Sequence, residues 1–354
     1  MVPYDISMNT ISILLSLSAA FICSAVLTGF MRKYAVKRNV LDVPNARSSH
    51  TVPTPRGGGL AFAAAFLIST ICIRLNYVDL PGFLPAIWGG ALVAYIGWID
   101  DKKRLPAGTR VIIHFIAATW GICWLGGLPS LDLGFTEVHF GNLGYPIAIV
   151  GTVWMINLYN FMDGIDGLAA GEAASVSAGA AFLFVLSGNR AMALLCLFLT
   201  ASTGGFLIFN WPPAKMFMGD TGSGFLGYIF AMLAIISERT TSIHLLVWAV
   251  LLAVFVTDAT ATLIKRILQG KRPTEAHREH AYQIAVQKGL SHKETTIGIL
   301  SINLLIFVLT VFSLKHIPES FCWVAIAIYS SMIFIWFIIE FFVSKGEKLS
   351  LWGK

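Results

Sequence analysis

Long apolar runs separated by short polar stretches extend along almost the whole chain. A helix needs roughly 20 mainly apolar residues to cross the core of a bilayer, because its backbone must satisfy its own hydrogen bonds there. We identify about eleven such segments, which predict an all-α, polytopic helical bundle spanning a membrane. Their approximate limits are 8–30, 57–75, 83–99, 111–127, 145–159, 168–187, 191–209, 221–237, 243–264, 295–314 and 321–343.

The composition indicates that lipid surrounds most of the chain. With 56% hydrophobic and only 12% charged residues, 354 residues have too little polar surface to fold as a water-soluble globule. The first apolar segment is preceded by no basic residue and followed by Arg32 and Lys33, the reverse of the charge order in a secretory signal peptide. We therefore expect it to be the first membrane span, with the N-terminus outside.

Basic residues predict the orientation of these segments, because Lys and Arg near span ends favour the cytoplasm. With eleven spans, one face carries 21 of the 25 Lys and Arg residues, and the other carries only Arg74, Arg190, Arg239 and Lys315. The C-terminus is then cytoplasmic. We expect a single membrane-embedded domain, 1–354, with cytoplasmic loops at 31–56, 100–110, 157–170, 210–223 and 265–294.

Two features are expected to have no chemical role. The segment 128–144 has enough alternation around Gly134 and Gly141 to form a small hairpin or a segment that lies at the membrane interface. The five cysteines lie singly within apolar segments, which favours inert packing over redox or metal chemistry.

Acidic residues lie at or near the ends of several predicted spans. Asp100 and Asp101 end the third apolar segment and are followed by three cations. Such a pair can hold a divalent cation, since Mg²⁺ prefers oxygen ligands, or it can simply be the solvated end of a helix. By itself the pair favours the solvated end. Asp258 lies within the ninth segment, where an ionisable group is costly, and we expect it to line a cleft.

A regular series of polar residues follows the fifth segment. Its members recur at every third position: Asn157, Asn160, Asp163 and Asp166. On a helix, each would be rotated by about 60° from the last, so that the four side chains could line a cleft. Gly164 and Gly167 allow close approach of a ligand and leave N–H groups for anionic oxygens. An ordinary polar turn is the alternative, but so regular a series is unusual beside an apolar span.

A third polar cluster joins the seventh and eighth segments. It begins at Asn210, and the two prolines that follow cannot continue the seventh helix. Asp220 lies where the eighth helix begins, so it is equally well explained as an N-cap or as a metal ligand. Phe217 lies in the irregular part and can stack on a base, although burial is the usual fate of phenylalanine.

Two basic loops supply further polar side chains. His277 and His280 are three residues apart and would share a helix face, with Arg278 between them. A zinc site is one interpretation, but hydrogen bonding to phosphate fits the surrounding cations better. In the first loop, His50 and Arg56 flank a Pro- and Gly-rich turn, where they either contact phosphate or only reflect the excess of cytoplasmic basic residues.

Together these motifs resemble the polyprenyl-phosphate N-acetylhexosamine-1-phosphate transferases. That family includes the phospho-N-acetylmuramoyl-pentapeptide translocase and the enzymes that begin O-antigen and teichoic acid assembly. The resemblance runs from the first cytoplasmic loop to the histidine loop and is most specific in the Asn/Asp series and at 217–223. It implies an enzyme of the bacterial inner membrane with a cytoplasmic active site. It would transfer N-acetylhexosamine-1-phosphate from a UDP-sugar to undecaprenyl phosphate and release UMP.

The resemblance also implies roles for individual residues. Asp220 resembles the family's Mg²⁺ ligand and Asp163 a second metal-site carboxylate, with Mn²⁺ as an alternative ion. The catalytic candidates are Asp100, Asp101, Asp163 and His277. The substrate-binding candidates are Asn157, Asn160, Asp166, Asn210, Phe217, Arg56, His50, Arg278 and His280. The polyprenyl tail is expected in a groove among spans five, eight and nine.

Departures from the family pattern limit the choice of substrate. Arg104 stands where a lysine often follows the acidic pair, and the last histidine motif reads His-Arg-Glu-His. These features favour the O-antigen branch over the muramoyl-pentapeptide enzymes. The residues do not decide between direct attack by the lipid phosphate and a covalent aspartyl intermediate, or between a monomer and a homodimer. We expect no nucleic-acid partner. A transporter of nucleotide sugars or lipid-linked sugars is the main alternative function, and a non-catalytic scaffold for glycan assembly is another.

Overall fold

The computed structural model describes residues 10–44, 52–76, 83–132, 136–272 and 277–344. Within these ranges the chain is almost entirely helical. The helices are α1 (Thr10–Lys37), α2 (Gly59–Asn76), α3 (Phe83–Lys103), α4 (Ala107–Leu125), α5 (Gly144–Phe161), α6 (Leu168–Leu186), α7 (Arg190–Asn210), α8 (Gly219–Thr240), α9 (Leu245–Leu251), α10 (Ala253–Leu268), α11 (Ala281–Gln287), α12 (His292–His316) and α13 (Phe321–Ser344).

The apolar segments of the sequence coincide with these helices, and the ninth coincides with the pair α9 and α10, which is bent by 78°. Among the described residues, eight helices are long and apolar enough to cross a membrane, or nine if the bent pair is one span. The predicted segments 57–75 and 145–159 form α2 and α5, which are not among those nine. The multi-pass helical class is therefore confirmed, whereas the number of eleven spans and their orientation stay predictions.

Helix α8 lies at the centre of the bundle. In its most apolar stretch 89% of the residues are buried, compared with 11% in α1 and 22% in each of α12 and α13. Small residues allow this central position, since a Cβ atom at Gly227 would overlap the backbone of Met155 in α5. The outer helices expose large apolar side chains such as Leu15 and Phe334, as expected for surfaces that face lipid.

Two short antiparallel hairpins connect the helices. Strands β1 (Leu41–Asp42) and β2 (Thr54–Pro55) pair in the loop between α1 and α2. Strands β3 (Leu131–Asp132) and β4 (Glu137–Val138) pair between α4 and α5, as predicted for segment 128–144. The first hairpin leads the chain back to the end of α3.

The loops near the acidic residues differ from the predicted ones. Helix α5 ends at Phe161, so Asp163 and Asp166 lie in a turn at 162–167 and do not continue the helix that carries Asn157 and Asn160. The physical reason is the nearby glycines, since Gly167 has a left-handed φ of +76°. Placing all four residues on one helix was therefore wrong.

The histidine pair is also not on a helix face. His280 is the N-cap of α11 with extended backbone, and His277 lies in the irregular segment before it. Helix α3, in contrast, is longer than predicted and includes both Asp100 and Asp101. The connection from α3 to α4 is thereby reduced to 104–106.

Candidate active site

Loops that are far apart in the sequence meet at one end of the bundle. The Nε of Arg56, in the first loop, lies 3.5 Å from a carboxylate oxygen of Asp101 at the end of α3. The N–H of Ala214, in the loop at 211–218, donates to the Asp166 carboxylate in the turn at 162–167. The structure thus brings the acidic clusters of the sequence into one region.

Asp101 caps a helix that starts more than one hundred residues later in the chain. Its carboxylate accepts hydrogen bonds from the N–H groups of Asp220 and Thr221 at 3.1 and 3.3 Å, and from the Thr221 hydroxyl at 2.6 Å. These groups belong to the first turn of α8, where unpaired N–H groups and the helix dipole attract an anion. The Asp101 side chain is completely enclosed. Its position therefore holds α8 against α3.

Asp220 does not cap its own helix, because the N-cap position is occupied by Met218 and Asp220 is the second residue of α8. The Asp220 carboxylate instead forms an ion pair with the guanidinium of Arg110 in α4. The same nitrogen of Arg110 lies 3.1 Å from a carboxylate oxygen of Asp100. The other oxygen of Asp100 accepts the N–H of Leu105 at 2.5 Å. Of the two interpretations of Asp220, the structure excludes the N-cap.

Asp163 lies in the turn after α5 and differs from the other carboxylates in lacking a hydrogen-bond donor. No described residue donates a hydrogen bond to its carboxylate, whereas the charges of Asp220, Asp101 and Asp166 all act on it. Burial, together with these neighbouring charges, raises the pKa of Asp163 well above its usual range. A carboxylate in this position favours the approach of a cation.

The two asparagines of α5 form hydrogen bonds with different partners. The Asn157 amide donates to the carbonyl of Val153 one turn earlier, at 2.7 Å. The Asn160 amide donates to the hydroxyl of Ser223 in α8, at 3.0 Å. Asn160 thus joins α5 to the first turns of α8, on the side that carries Asp220.

Asp166 joins three separate parts of the chain. One carboxylate oxygen accepts the N–H of Ala214 at 2.9 Å, and the other lies 3.3 Å from Nδ1 of His292 at the start of α12. The backbone carbonyl of Asp166 accepts the hydroxyl of Thr296 at 3.0 Å. Both oxygens of this carboxylate are therefore engaged within the protein.

Asn210 and Phe217 are held by contacts to neighbouring loops. The buried Asn210 side chain accepts the N–H of Gly167 at 3.1 Å and donates to the carbonyl of Met216 at 3.0 Å. The N–H of Phe217 donates to the carbonyl of Pro55 at 2.8 Å, which extends the first hairpin towards the site. Asn210 therefore braces the loops at 162–167 and 211–218 against each other.

The histidines lie together, beside a second helix that is capped by a distant aspartate. The ring centroids of His277 and His280 are 4.8 Å apart, and Nδ1 of His280 lies 3.5 Å from Asp258. The buried Asp258 carboxylate accepts the N–H groups of Ala281 and Tyr282, the first residues of α11. The expectation that Asp258 lines the cleft was wrong, because the unpaired start of α11 takes up this carboxylate.

The remaining candidates are His277, Arg56, Arg278 and His50, and the structure describes the surroundings of the first three. Burial, followed by electrostatic interactions with His280 and Arg266, lowers the pKa of His277 to about 4, so this imidazole is neutral near pH 7. The Arg56 guanidinium donates to the carbonyls at the end of α3, and the Arg278 carbonyl accepts the side chain of Gln287. His50 lies outside the described residues.

A cleft of about 580 Å³ opens beside these groups, between α4, α5, α8, α10 and the start of α11. Its polar end is lined by Arg110, Asn157, Asn160, Asp220, His277 and His280. Towards the middle of the bundle, apolar side chains including Phe115, Val150 and Trp154 replace the polar ones. The cleft therefore offers a charged end and an apolar end to one elongated ligand.

Two contact residues were missed from the sequence. Arg110 was counted only among the cytoplasmic basic residues, although its place in the first turn of an apolar helix next to the acidic pair was a signal. His292 gave a weaker signal, since it follows Ser291, whose side chain forms a capping box with Glu294. Only the folded chain shows that it reaches Asp166.

The carboxylates fit a hard divalent cation such as Mg²⁺ in part. No group of three His, Cys, Asp or Glu side chains within the described ranges is arranged to hold a metal ion. Mg²⁺ needs no such group, because it is usually bound by one or two carboxylates together with water and phosphate oxygens. Asp163, which accepts no hydrogen bond from a described residue, and the partly exposed Asp220 are the carboxylates that fit best.

Comparison with known proteins agrees with this architecture. Residues 83–238 match the model of Glycosyl transferase family 4. The chain is 30% identical to the decaprenyl-phosphate N-acetylglucosaminephosphotransferase of Mycobacterium leprae, over 80% of this chain and 79% of that protein. The chain belongs to this family. Its matched region begins at α3 and ends in α8, so it contains all four aspartates of the acidic clusters at 100–101, 163 and 220.

Two further members of the family match almost the entire chain. One is the probable undecaprenyl-phosphate N-acetylglucosaminyl 1-phosphate transferase of Bacillus subtilis, 28% identical over 97% of this chain and 96% of that protein. The other is the undecaprenyl-phosphate alpha-N-acetylglucosaminyl 1-phosphate transferase of Escherichia coli K12, 24% identical over 93% and 91%. The similarity to these relatives therefore extends beyond the region matched by the family model.

Proposed function

We propose that this protein transfers N-acetylhexosamine-1-phosphate from a UDP-sugar to undecaprenyl phosphate, on the cytoplasmic face of a bacterial inner membrane. The product would be a polyprenyl diphospho-sugar, with UMP released, as the first step of O-antigen or a related surface glycan. The main support for the proposal is the shape and polarity of the cleft. Asp220 and Arg110 lie at its polar end, and its lining becomes apolar towards the bundle centre. A lipid phosphate has a charged head and an apolar tail that match these two ends.

The family relatives support this substrate class, because their names specify a polyprenyl phosphate and N-acetylglucosamine 1-phosphate. UDP-GlcNAc is therefore the first donor to test. The arrangement of the carboxylates is a second support, since the charged groups lie at helix ends on one side of the bundle. A transporter of nucleotide sugars would instead be expected to bind its substrate near the bilayer midplane.

The chemistry requires little proton transfer. A phosphate monoester is already anionic near neutral pH, since its second pKa is about 6. An oxygen of the lipid phosphate would form a bond to the β-phosphorus of the UDP-sugar. The bond from that phosphorus to the oxygen bridging the α- and β-phosphates would break, and UMP would leave with the bonding electrons. Positioning and charge neutralisation then account for most of the rate.

The protein's own residues have distinct tasks in this scheme. Asp220 and Asp163 would hold Mg²⁺, or Mn²⁺ in its place, and a bound divalent ion would neutralise diphosphate charge. Asp101 positions Asp220 by capping α8, while Asn160 ties α5 to the same turn. Neutral His277 would donate a hydrogen bond to a phosphate oxygen without adding positive charge.

The polyprenyl tail would lie along α5. An apolar cavity of about 390 Å³ lies between α5, α8, α9 and α10, lined by side chains such as Ile147, Phe230 and Trp248. Trp154 lines both this cavity and the cleft. This location agrees with the groove expected among spans five, eight and nine, and Trp154 would contact the tail where it leaves the cleft.

Purified protein, supplied with undecaprenyl phosphate, Mg²⁺ and a panel of UDP-sugars, tests the function. We expect UMP and lipid-linked sugar in equal amounts for at least one UDP-N-acetylhexosamine. Asp220→Asn should abolish both products, and the matched surface variant Lys103→Gln should not. UDP-sugar uptake into proteoliposomes without any UMP release would instead support a transporter and contradict the proposal.

A further inference from the structure

Arg110 bridges two carboxylates at the polar end of the cleft. One guanidinium nitrogen, Nη1, contacts both Asp100 and Asp220, which belong to different helices. The Arg110 side chain is 31% exposed and the Asp220 side chain 27%, so the pair faces the cleft and is not sealed in the core. Its Nε and Nη2 groups donate no hydrogen bond to any described residue. Among the described residues, Nε and Nη2 of Arg110 therefore remain available as donors to a ligand.

This arrangement conflicts with a metal site at Asp220. A metal ion would have to compete with the Arg110 guanidinium for the Asp220 carboxylate oxygen, because the ion pair already occupies that oxygen. Arg110 also supplies the positive charge that Asp100 and Asp220 need when no other cation is present. Its replacement would remove the competitor without removing a carboxylate.

We propose that Arg110 is an exchangeable counter-ion, which pairs with Asp220 before substrate binds and releases it to the metal when the nucleotide-sugar diphosphate binds. The released guanidinium then binds a phosphate oxygen of that substrate in the cleft that it already lines. A planar guanidinium suits this transfer because it binds carboxylate and phosphate oxygens with similar geometry. The inference rests on the proposed function. It adds Arg110 as a residue that contacts the substrate only after it has released Asp220.

The proposal predicts changes of opposite sign for metal binding and for turnover. Partly exposed charge pairs attract each other only weakly, so losing the two pairs should tighten Mn²⁺ binding by about threefold to tenfold. Turnover should fall, by at least about tenfold, because the phosphate contact is lost. A purely structural role for Arg110 predicts that both properties weaken together.

Mn²⁺ binding to the purified, substrate-free protein, followed by electron paramagnetic resonance, separates these cases. We expect Arg110→Gln to bind Mn²⁺ more tightly than wild type and Asp220→Asn to bind it more weakly. Lys103→Gln removes the same charge from an exposed position and should leave binding unchanged. Arg110→Lys keeps the charge and should remain near wild type in Mn²⁺ affinity. Thermal unfolding of each variant verifies that it is folded.

The outcomes distinguish this inference from the function on which it rests. Unchanged or weaker Mn²⁺ binding by folded Arg110→Gln, with normal binding by wild type, would overturn the counter-ion role alone. If neither wild type nor folded Arg110→Gln binds Mn²⁺ while product is still formed, the metal assignment and the counter-ion role both fail. Weakened binding by Arg110→Lys that matches the Asp220→Asn variant would also contradict the exchange.

Discussion

Replacing Thr221 with valine removes one hydrogen bond at the junction between α3 and α8. Thr221 is completely buried, and its hydroxyl donates to the Asp101 carboxylate at 2.6 Å, the shortest of the three bonds that this carboxylate accepts from α8. Valine has nearly the same shape, so the substitution deletes the donor without opening a large cavity. We expect Thr221→Val to destabilise the protein and to displace Asp220 from its position in the cleft.

The size of the effect follows from the charge on the acceptor. A hydrogen bond to a charged group contributes about 1.5–3 kcal/mol to stability. The two backbone bonds to Asp101 remain, so the lower part of this range, about 2 kcal/mol, is the better value. The unfolding entropy grows with chain length, so that 354 residues give about 1–2 °C per kcal/mol. The midpoint of thermal unfolding in detergent should therefore fall by about 2–4 °C. Turnover should fall by about tenfold, because the turn that carries Asp220 is less firmly held.

Thr221→Ser is the matched control, because it keeps the hydroxyl and loses only a buried methyl group, worth about 1 kcal/mol. Its unfolding midpoint and its rate of UMP release should lie between those of wild type and Thr221→Val. If Thr221→Val unfolds at the wild-type temperature, or if Thr221→Ser is the less stable of the two, the bond to Asp101 does not stabilise the junction.

Three further predictions concern other parts of the protein. Asp163→Asn should abolish UMP release without lowering the unfolding midpoint in metal-free buffer, because it removes repulsion from Asp220; a lower midpoint contradicts this. His277 is protonated less readily when folded, with a pKa lowered from 6.5 to about 4, so its contribution to stability is lost as pH falls through that interval. His277→Asn should flatten the pH dependence of unfolding there, and an unchanged curve refutes the assignment. Gly59→Ala should destabilise strongly because the added methyl meets the backbone of α8, whereas Gly108→Ala, which meets nothing within 4 Å, should be neutral or slightly stabilising in the same melting assay.

The helical bundle was predictable because hydrophobic length is a local property. A run of about twenty apolar residues has few other solutions in lipid, so the segments coincide with helices even where their ends differ by several residues. The end of α5 was not predictable in the same way. Two glycines and two acids in 163–167 are compatible with a weak helix or a turn, and the hydrogen bonds of Asp166 to Ala214 and Thr296 determine the outcome.

The roles of individual carboxylates depend on partners that are distant in the sequence. Asp220 was equally compatible with an N-cap and a metal ligand, and the ambiguity ends because Asp101, 119 residues earlier, caps that helix instead. The positions of Asp100 and Asp101 next to each other gave no indication that they face different partners. One contacts Arg110 and the other contacts the start of α8. Motifs thus identified the region of the site, but not the division of tasks within it.

A second helix in the described part of the chain is capped in the same way, which affects how mutations in the family are interpreted. Asp101 in α3 caps α8, and Asp258 in α10 caps α11, so each buried carboxylate is stabilised by the unpaired N–H groups of a helix from elsewhere in the chain. Removing either one displaces residues that line the cleft, and activity should be lost although neither carboxylate lines the cleft itself. Loss of activity alone therefore does not separate a capping aspartate from a metal-binding one. The separation requires stability, since removal of Asp101 or Asp258 leaves buried N–H groups unpaired and lowers it, whereas neutralising Asp163 relieves repulsion and does not.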